Sequence, residues 1–194
     1  MVLVVNDITQ RKLDEERIRY QATYDSLTGL PNRVLFHDRL GQAVRTMHRN
    51  GLPMALMFID LDGFKAVNDT LGHDAGDLLL KEAARRLASC VRESDTVARL
   101  GGDEFTVIMA GIEETACVHD VASRILRSLS VPFELGTHEG RPQVGAVSAS
   151  IGVALAPEHA DDAETLLRLA DSAMYRAKDQ GKSRYVICEA AAHT

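Results

Sequence analysis

The pair Gly101-Gly102, set between an apolar run at 96–100 and another at 104–109, constrains the fold of this chain more than any other feature. A tight reversal between two strands asks for positive φ, which glycine reaches without steric cost. The pair therefore predicts a β-hairpin, and a hairpin puts antiparallel neighbours into whatever sheet it joins. That argues against a purely parallel, doubly wound sheet. The same turn lifts Asp103 and Glu104 to the hairpin tip.

Elsewhere the apolar spacing switches between helical and strand periods. Phe36, Leu40, Ala43, Val44 and Met47 share a helix face past Pro31, and Gly51 with Pro53 ends it. A buried strand is expected at 54–59. Leu79, Ala83, Leu87, Cys90 and Val91 mark a second amphipathic helix, and Val118, Ala122, Ile125 and Leu129 a third. A further hairpin is expected around 137–141, then a long strand near 146–155. Leu166, Ala170, Ala173 and Ala177 mark a fourth helix, stopped by Gly181, with a last strand around 184–188. The fold class is α+β, a central mixed sheet flanked by helices.

The opening is organised differently. Val2 to Val5 read as the end of a strand, and Asp7 with Gln10 resembles a capping box for a charged helix from near Ile8 to about Tyr24. Leu13 and Tyr20 fall one heptad apart, too short a pattern for a coiled coil. Residues 1–24 are thus expected to be the end of an upstream module and a linker helix, 25–188 the main domain and 189–194 a tail. Met1 is expected to lie inside a longer parent.

A chain of 194 residues with 45% hydrophobic content can bury one substantial core. Its formal net charge of −6 argues against a groove tracking long nucleic acid. The 3 cysteines, Cys90, Cys117 and Cys188, form no C-x-x-C pair and leave one over, so a reducing cytoplasm is expected. The apolar run 54–59 falls far short of the ~20 residues a bilayer-spanning helix needs.

Chemistry concentrates where the strand at 54–59 ends in Asp60 and Asp62 and the hairpin presents Asp103 and Glu104. Neighbouring strands that bring Asp60 to Asp103 would make half a Mg²⁺ site, because Mg²⁺ takes hard oxygen ligands and keeps waters and substrate phosphates in its shell. Asp62 taken alone reads as solvated. Gly63-Phe64-Lys65 allows a sharp turn whose N–H groups can receive phosphates at a helix start. Lys178 and Lys182 can add point charges to a triphosphate, although lysines at a helix end also complement its dipole.

Leu100-Gly101-Gly102-Asp103-Glu104-Phe105 resembles the signature of GGDEF domains, the diguanylate cyclases. Other blocks agree in order: 25–33 (DSLTGLPNR) resembles the family's entry motif, 60–77 (DLDGFKAVNDTLGHDAGD) its metal and guanine block, and 177–182 (AKDQGK) its closing helix. The resemblance implies a nucleotide-cyclase or polymerase-palm fold, ferredoxin-like at its centre, that joins two GTP into cyclic di-GMP and two pyrophosphates. It also implies Mg²⁺ or Mn²⁺ held by Asp60, the Leu61 carbonyl and Asp103. Glu104 would sit beside them, assisting metal binding or deprotonation of the attacking 3′-hydroxyl. Phe64 and Lys65 would offer N–H groups to phosphates, with Lys178 and Lys182 adding charge; Lys182 stands where the family often has arginine. Asn68 and Asp77 match the guanine readers, a buried carboxylate accepting from N1–H and the 2-amino group. His73, in the same loop, reads as structural.

Arg92-Glu93-Ser94-Asp95 resembles the family's R-x-x-D inhibitory site, implying that Arg92 and Asp95 bind the cyclic di-GMP product. A surface ion pair is the structural alternative. Since one domain would hold one GTP, the reaction implies a homodimer, at least transiently. The segment 5–12 (VNDITQRK) resembles the way PAS sensors run into such a helix, and the tail faintly resembles lead-ins to an EAL phosphodiesterase domain. The competing reading is a non-catalytic GTP- or cyclic di-GMP-binding module of a larger signalling protein.

Overall fold

The computed structural model describes residues 20–138 and 140–189, with Asp14 and Arg17 ahead of them. The expected strand end at 2–5, the capping box at Asp7 and the tail from 190 onward lie outside the described residues. Helical residues 20–23 lead into a turn at 25–31, and then the elements run α1 (Arg33–Asn50), β1 (Met54–Asp62), α2 (Phe64–Leu71), α3 (His73–Ser89), β2 (Thr96–Gly101), β3 (Glu104–Met109), α4 (Ala116–Ser130), β4 (Phe133–His138), β5 (Arg141–Gly145), β6 (Ser148–Ala156), α5 (Ala163–Asp179) and β7 (Arg184–Ile187).

Local chemistry sets the helix ends. The Asn32 carboxamide oxygen accepts from the N–H groups of Val34 and Leu35 at 2.9 and 3.2 Å, and Asp162 accepts from the Thr165 N–H at 2.9 Å. Each caps donors that the first turn leaves open.

The main sheet has five strands in the order β2-β3-β1-β6-β7; every pairing is antiparallel except β6 with β7. β4 and β5 form a separate two-stranded hairpin. The fold is α+β with a mixed central sheet, and β1 lies in its middle. Helices cover both faces, which is why β1 reads as an unbroken apolar run rather than an alternation. One face packs Ala55, Met57 and Ile59 with Leu79 and Leu87 of α3 and Ile125 of α4. The other packs Leu56 and Phe58 with Phe36 and Leu40 of α1 and Leu166 and Met174 of α5.

Two boundaries differ from the sequence expectation. β1 continues past residue 59 to Asp62, because the Asp62 carboxylate finds buried donors instead of water. The stretch carrying Asn68, His73 and Asp77, expected as a loop, is two helices broken at Gly72, whose φ of 89° and ψ of 165° no helix accommodates. His73 is therefore the first residue of α3.

Candidate active site

The β1–β3 ladder places Asp60 opposite Glu104, and the Leu61 N–H donates to the Asp103 carbonyl at 3.3 Å. Gly101 and Gly102, at φ of 149° and 50°, carry the chain across the tip next to a register shift in β2–β3. Asp60, Asp103 and Glu104 are thereby gathered at one end of the central strands. Burial holds the Asp103 carboxyl above its ordinary range, and the charge of Asp60 adds to this. Glu104 is also raised, by burial first; Arg33 opposes the shift while Asp60, Asp103 and Asp171 reinforce it.

Lys178 answers this negative charge. Its Nζ lies 2.8 Å from Asp60 Oδ2. Burial alone would lower the ammonium pKa, but the hydrogen bond and charge of Asp60 outweigh it and the pKa is raised. Among the described residues no three His, Cys, Asp or Glu side chains converge into a closed metal cage. Asp60 and Asp103 offer hard oxygen atoms of the kind a divalent cation takes.

Beyond β1, Gly63 at φ 85° starts α2 with no side-chain cap, so Phe64 and Lys65 begin a helix whose opening N–H groups no side chain takes. Phe64 anchors this turn by burying its ring, whereas Lys65 is exposed. Asn68 on α2 reaches α3 at Gly76, the residue before Asp77. A Cβ on Gly76 would stand 1.8 Å from Asn68 Oδ1, so α3 receives the carboxamide only because residue 76 is glycine. Asp77 is solvent-exposed. The penalty for a mismatched base, expected from a buried carboxylate, therefore arises only once a base covers Asp77. Lys182 is exposed at φ 61° after α5, its N–H donating to the Ala177 carbonyl at 3.0 Å.

Three side chains have roles the sequence did not announce. Asp62, expected to be solvated, is buried and accepts from Ser148 Oγ at 2.9 Å, Ser150 Oγ at 2.8 Å and the Ser183 N–H at 3.3 Å. It fastens β1, the start of β6 and the turn carrying Lys182. Arg99 donates through Nε and Nη2 to the Gly102 carbonyl at 3.0 and 2.8 Å and through Nη1 to Asp25 Oδ1 at 2.9 Å. It bolts the hairpin tip to the turn after the N-terminal helix. Burial would raise the Asp25 carboxyl, but Thr28 and Arg99 hold it down overall. Arg39, on α1, donates to Thr96 Oγ1 at 3.2 Å.

That arginine borders the 92–95 turn. The Arg92 N–H donates to Asp95 Oδ2 at 3.0 Å and the Asp95 N–H to the Arg92 carbonyl at 3.0 Å. The Arg92 side chain is exposed, and Asp95 is raised chiefly by burial. A cavity of about 300 Å³ between this turn and α1 is lined by Arg39, Glu93, Ser94 and Asp95.

The family model described as "Diguanylate cyclase, GGDEF domain" matches residues 22–184. This chain belongs to the GGDEF family of diguanylate cyclase domains. It is 47% identical to the bifunctional diguanylate cyclase/cyclic di-GMP phosphodiesterase MucR of Pseudomonas aeruginosa over 87% of this chain and 24% of that protein. With diguanylate cyclase TpbB of Pseudomonas aeruginosa the identity is 43% over 93% of this chain and 41% of the relative. The GGDEF chain thus spans less than half the length of these relatives. A solved structure of the GGDEF domain of TpbB from Pseudomonas aeruginosa superposes with a TM-score of 0.81 at 44% identity, covering 86% of this chain and 94% of the other. The coiled coil and GGDEF domain of DgcB from Caulobacter crescentus, solved with c-di-GMP, gives a TM-score of 0.84 at 28% identity over 94% of both chains.

Proposed function

We propose that this chain is a diguanylate cyclase domain, condensing two GTP into cyclic di-GMP with release of two pyrophosphates. The reading rests on one observation above the rest: Asp60 on β1 and Asp103 at the tip of the β2–β3 hairpin come close enough for the charge of Asp60 to act on Asp103, with Lys178 on Asp60. Mg²⁺ or Mn²⁺, held by Asp60, the Leu61 carbonyl and Asp103, would offset charge developing on the transferred phosphoryl group. Phe64 and Lys65 receive phosphate oxygens on backbone N–H groups, and Lys178 and Lys182 add positive charge. Glu104, with its carboxyl held above the ordinary range, is suited to receive the proton of the attacking 3′-hydroxyl. Asn68 and Asp77 read guanine, selecting GTP over ATP.

Each domain holds one nucleotide, so two domains face each other, each offering a 3′-hydroxyl to the other's α-phosphate. Arg92 and Asp95 bind product and slow turnover, with Arg39 on the opposite wall of the cavity. The parent protein carries an upstream PAS-like sensor and presents this segment to the cytoplasm. Among the described residues no helix is long and apolar enough to cross a membrane.

Incubation with GTP and Mg²⁺, followed by mass detection of cyclic di-GMP, tests the reading. Asp60→Ala and Asp103→Ala are each expected to cut the rate roughly a hundredfold or more, a loss of about 2.7 kcal/mol of transition-state stabilisation. Retained turnover in either variant rejects the assignment. Arg92→Ala is expected to relieve inhibition by added cyclic di-GMP; an unchanged inhibition curve removes that site. A second reading, a nucleotide-binding regulatory module, draws on the relative named cyclic di-GMP phosphodiesterase PdeR of Escherichia coli, which is 39% identical over 93% of this chain. Tight GTP binding with no product would favour it.

A further inference from the structure

Gly181, Lys182 and Ser183 follow one another at φ of 108°, 61° and 51° between α5 and β7. Among the described residues, Lys182 and Ser183 are the two non-glycine residues with positive φ. A residue with a Cβ enters that region against steric resistance, so two in succession persist only where neighbouring contacts hold them. Contacts hold this turn on both sides. The Gly181 and Lys182 N–H groups donate to the Lys178 and Ala177 carbonyls at 3.1 and 3.0 Å, which closes α5. The Ser183 N–H donates to Asp62 Oδ2 at 3.3 Å, which ties the turn to β1 across 121 positions.

Asp62 is 8% exposed, and its three donors, Ser148 Oγ, Ser150 Oγ and the Ser183 N–H, are neutral. Burying a carboxylate among neutral donors is unfavourable until its hydrogen bonds offset the lost hydration, so the group is a weak source of stability. It is a strong source of direction, because both oxygens are committed: Oδ1 accepts from Ser150, and Oδ2 from Ser148 and Ser183. Two residues earlier on the same strand, Asp60 receives Lys178 Nζ at 2.8 Å. The strand end that carries Asp60 therefore also fixes the turn that carries the exposed Lys182. We propose that Asp62 is a positioning residue for phosphate binding: by accepting the Ser183 N–H it locks the left-handed turn and aims the Lys182 ammonium at the nucleotide's phosphates. Without that acceptor, residues 182 and 183 relax toward negative φ and the lysine turns away. This rests on the reading of Lys182 as a phosphate-binding residue, and it gives Asp62 no contact of its own with nucleotide or metal.

Calorimetric titration of the full 194-residue chain with a non-hydrolysable GTP analogue and Mg²⁺ tests this role. Lys182→Ala and Asp62→Ala are each expected to weaken binding about tenfold, the size of one charge-assisted contact. The double variant is expected to bind within about twofold of Lys182→Ala, because Asp62 acts through that ammonium. Asp62→Asn is the conservative control. Its carboxamide oxygen can take the Oδ2 place and accept from Ser183, while its NH₂ donates to Ser150 Oγ, a hydroxyl that accepts as readily as it donates. This variant is expected to bind within about threefold of the wild type. A general loosening of β1 would instead add to the loss at Lys182. A roughly hundredfold loss in the double variant, or an Asp62→Asn variant as weak as Asp62→Ala, overturns the proposal. Melting temperature establishes that each variant is folded. If Asp62→Ala is not, Asp62→Ser takes its place in the cycle, since its hydroxyl stays near Ser148 and Ser150 but ends one bond short of the Ser183 N–H. A wild-type chain that binds no GTP analogue overturns the nucleotide reading and this role together; a wild type that binds it, with Asp62→Ala unchanged, overturns this role alone.

Discussion

Asp103 holds its proton more tightly in the folded chain than a free carboxyl does, through burial and the charge of Asp60. A carboxyl raised in this way contributes stability below the ordinary aspartate range and loses that contribution as pH climbs through the raised value. At neutral pH, without a cation, its charge is a cost. Asp103→Asn keeps the shape and removes the charge. It is expected to raise the melting temperature at pH 7 in chelator by about 2 °C, as ~0.5–1 kcal/mol of partly screened repulsion would in a domain of this size. The advantage shrinks toward pH 3, and cyclic di-GMP synthesis is lost. Scanning calorimetry with a lower melting point for the variant at pH 7 would contradict this account. Gly76 makes the opposite trade. Alanine there favours the helix by up to ~1 kcal/mol but puts a methyl where Asn68 Oδ1 now lies. Gly76→Ala is expected to weaken GTP-analogue binding roughly tenfold, about one hydrogen bond's worth, with no fall in melting temperature. Calorimetric titration showing unchanged affinity would mean that Asn68 does not read the base.

Between elements, the decisive joints are single side chains that span large sequence distances. Arg99 and Asp25, 74 positions apart, tie the entry turn to the hairpin tip. Arg99→Ala leaves the Asp25 carboxylate with its Thr28 donors alone and frees the Gly102 carbonyl. The expected cost is about 2–4 kcal/mol in urea unfolding, together with a larger fall in kcat than rise in KM, since the tip carrying Asp103 loses its anchor while Asn68 and Gly76 are untouched. Equal changes in both constants would show that Arg99 does not position the tip. Neither this joint nor the three-way fastening at Asp62 was legible in the sequence, because a charged residue at a strand end looks the same whether it faces water or a donor from a distant segment. Most of the elements themselves were legible. Gly101-Gly102, Gly51 and Gly181 act on their immediate neighbours, and the 3.6 and 2.0 periods follow from local geometry. The break at Gly72 was missed because the apolar positions on either side were read as starting only at Leu79.

At the scale of the whole molecule, one sheet separates two apolar layers. Ile125 is fully buried in the layer under α3 and α4, and Ile108 is 3% exposed in the layer under α1 and α5. Ile125→Val and Ile108→Val are each expected to cost about 1 kcal/mol, and the double variant their sum within ~0.5 kcal/mol. Marked non-additivity in chemical denaturation would mean that strain crosses the sheet. The two layers were visible in the sequence because β1 is apolar on consecutive residues. The left-handed backbone at 182 and 183 was not, since Lys182 and Ser183 carry no pattern that asks for positive φ. The ammonium resting on Asp60 has an effect that reaches past the site. A divalent ion arriving alone must displace a charge already in place, and a triphosphate arriving alone meets bare carboxylates. On the proposed cyclase reading, metal and nucleotide are therefore expected to bind with linked affinity, each favouring the other.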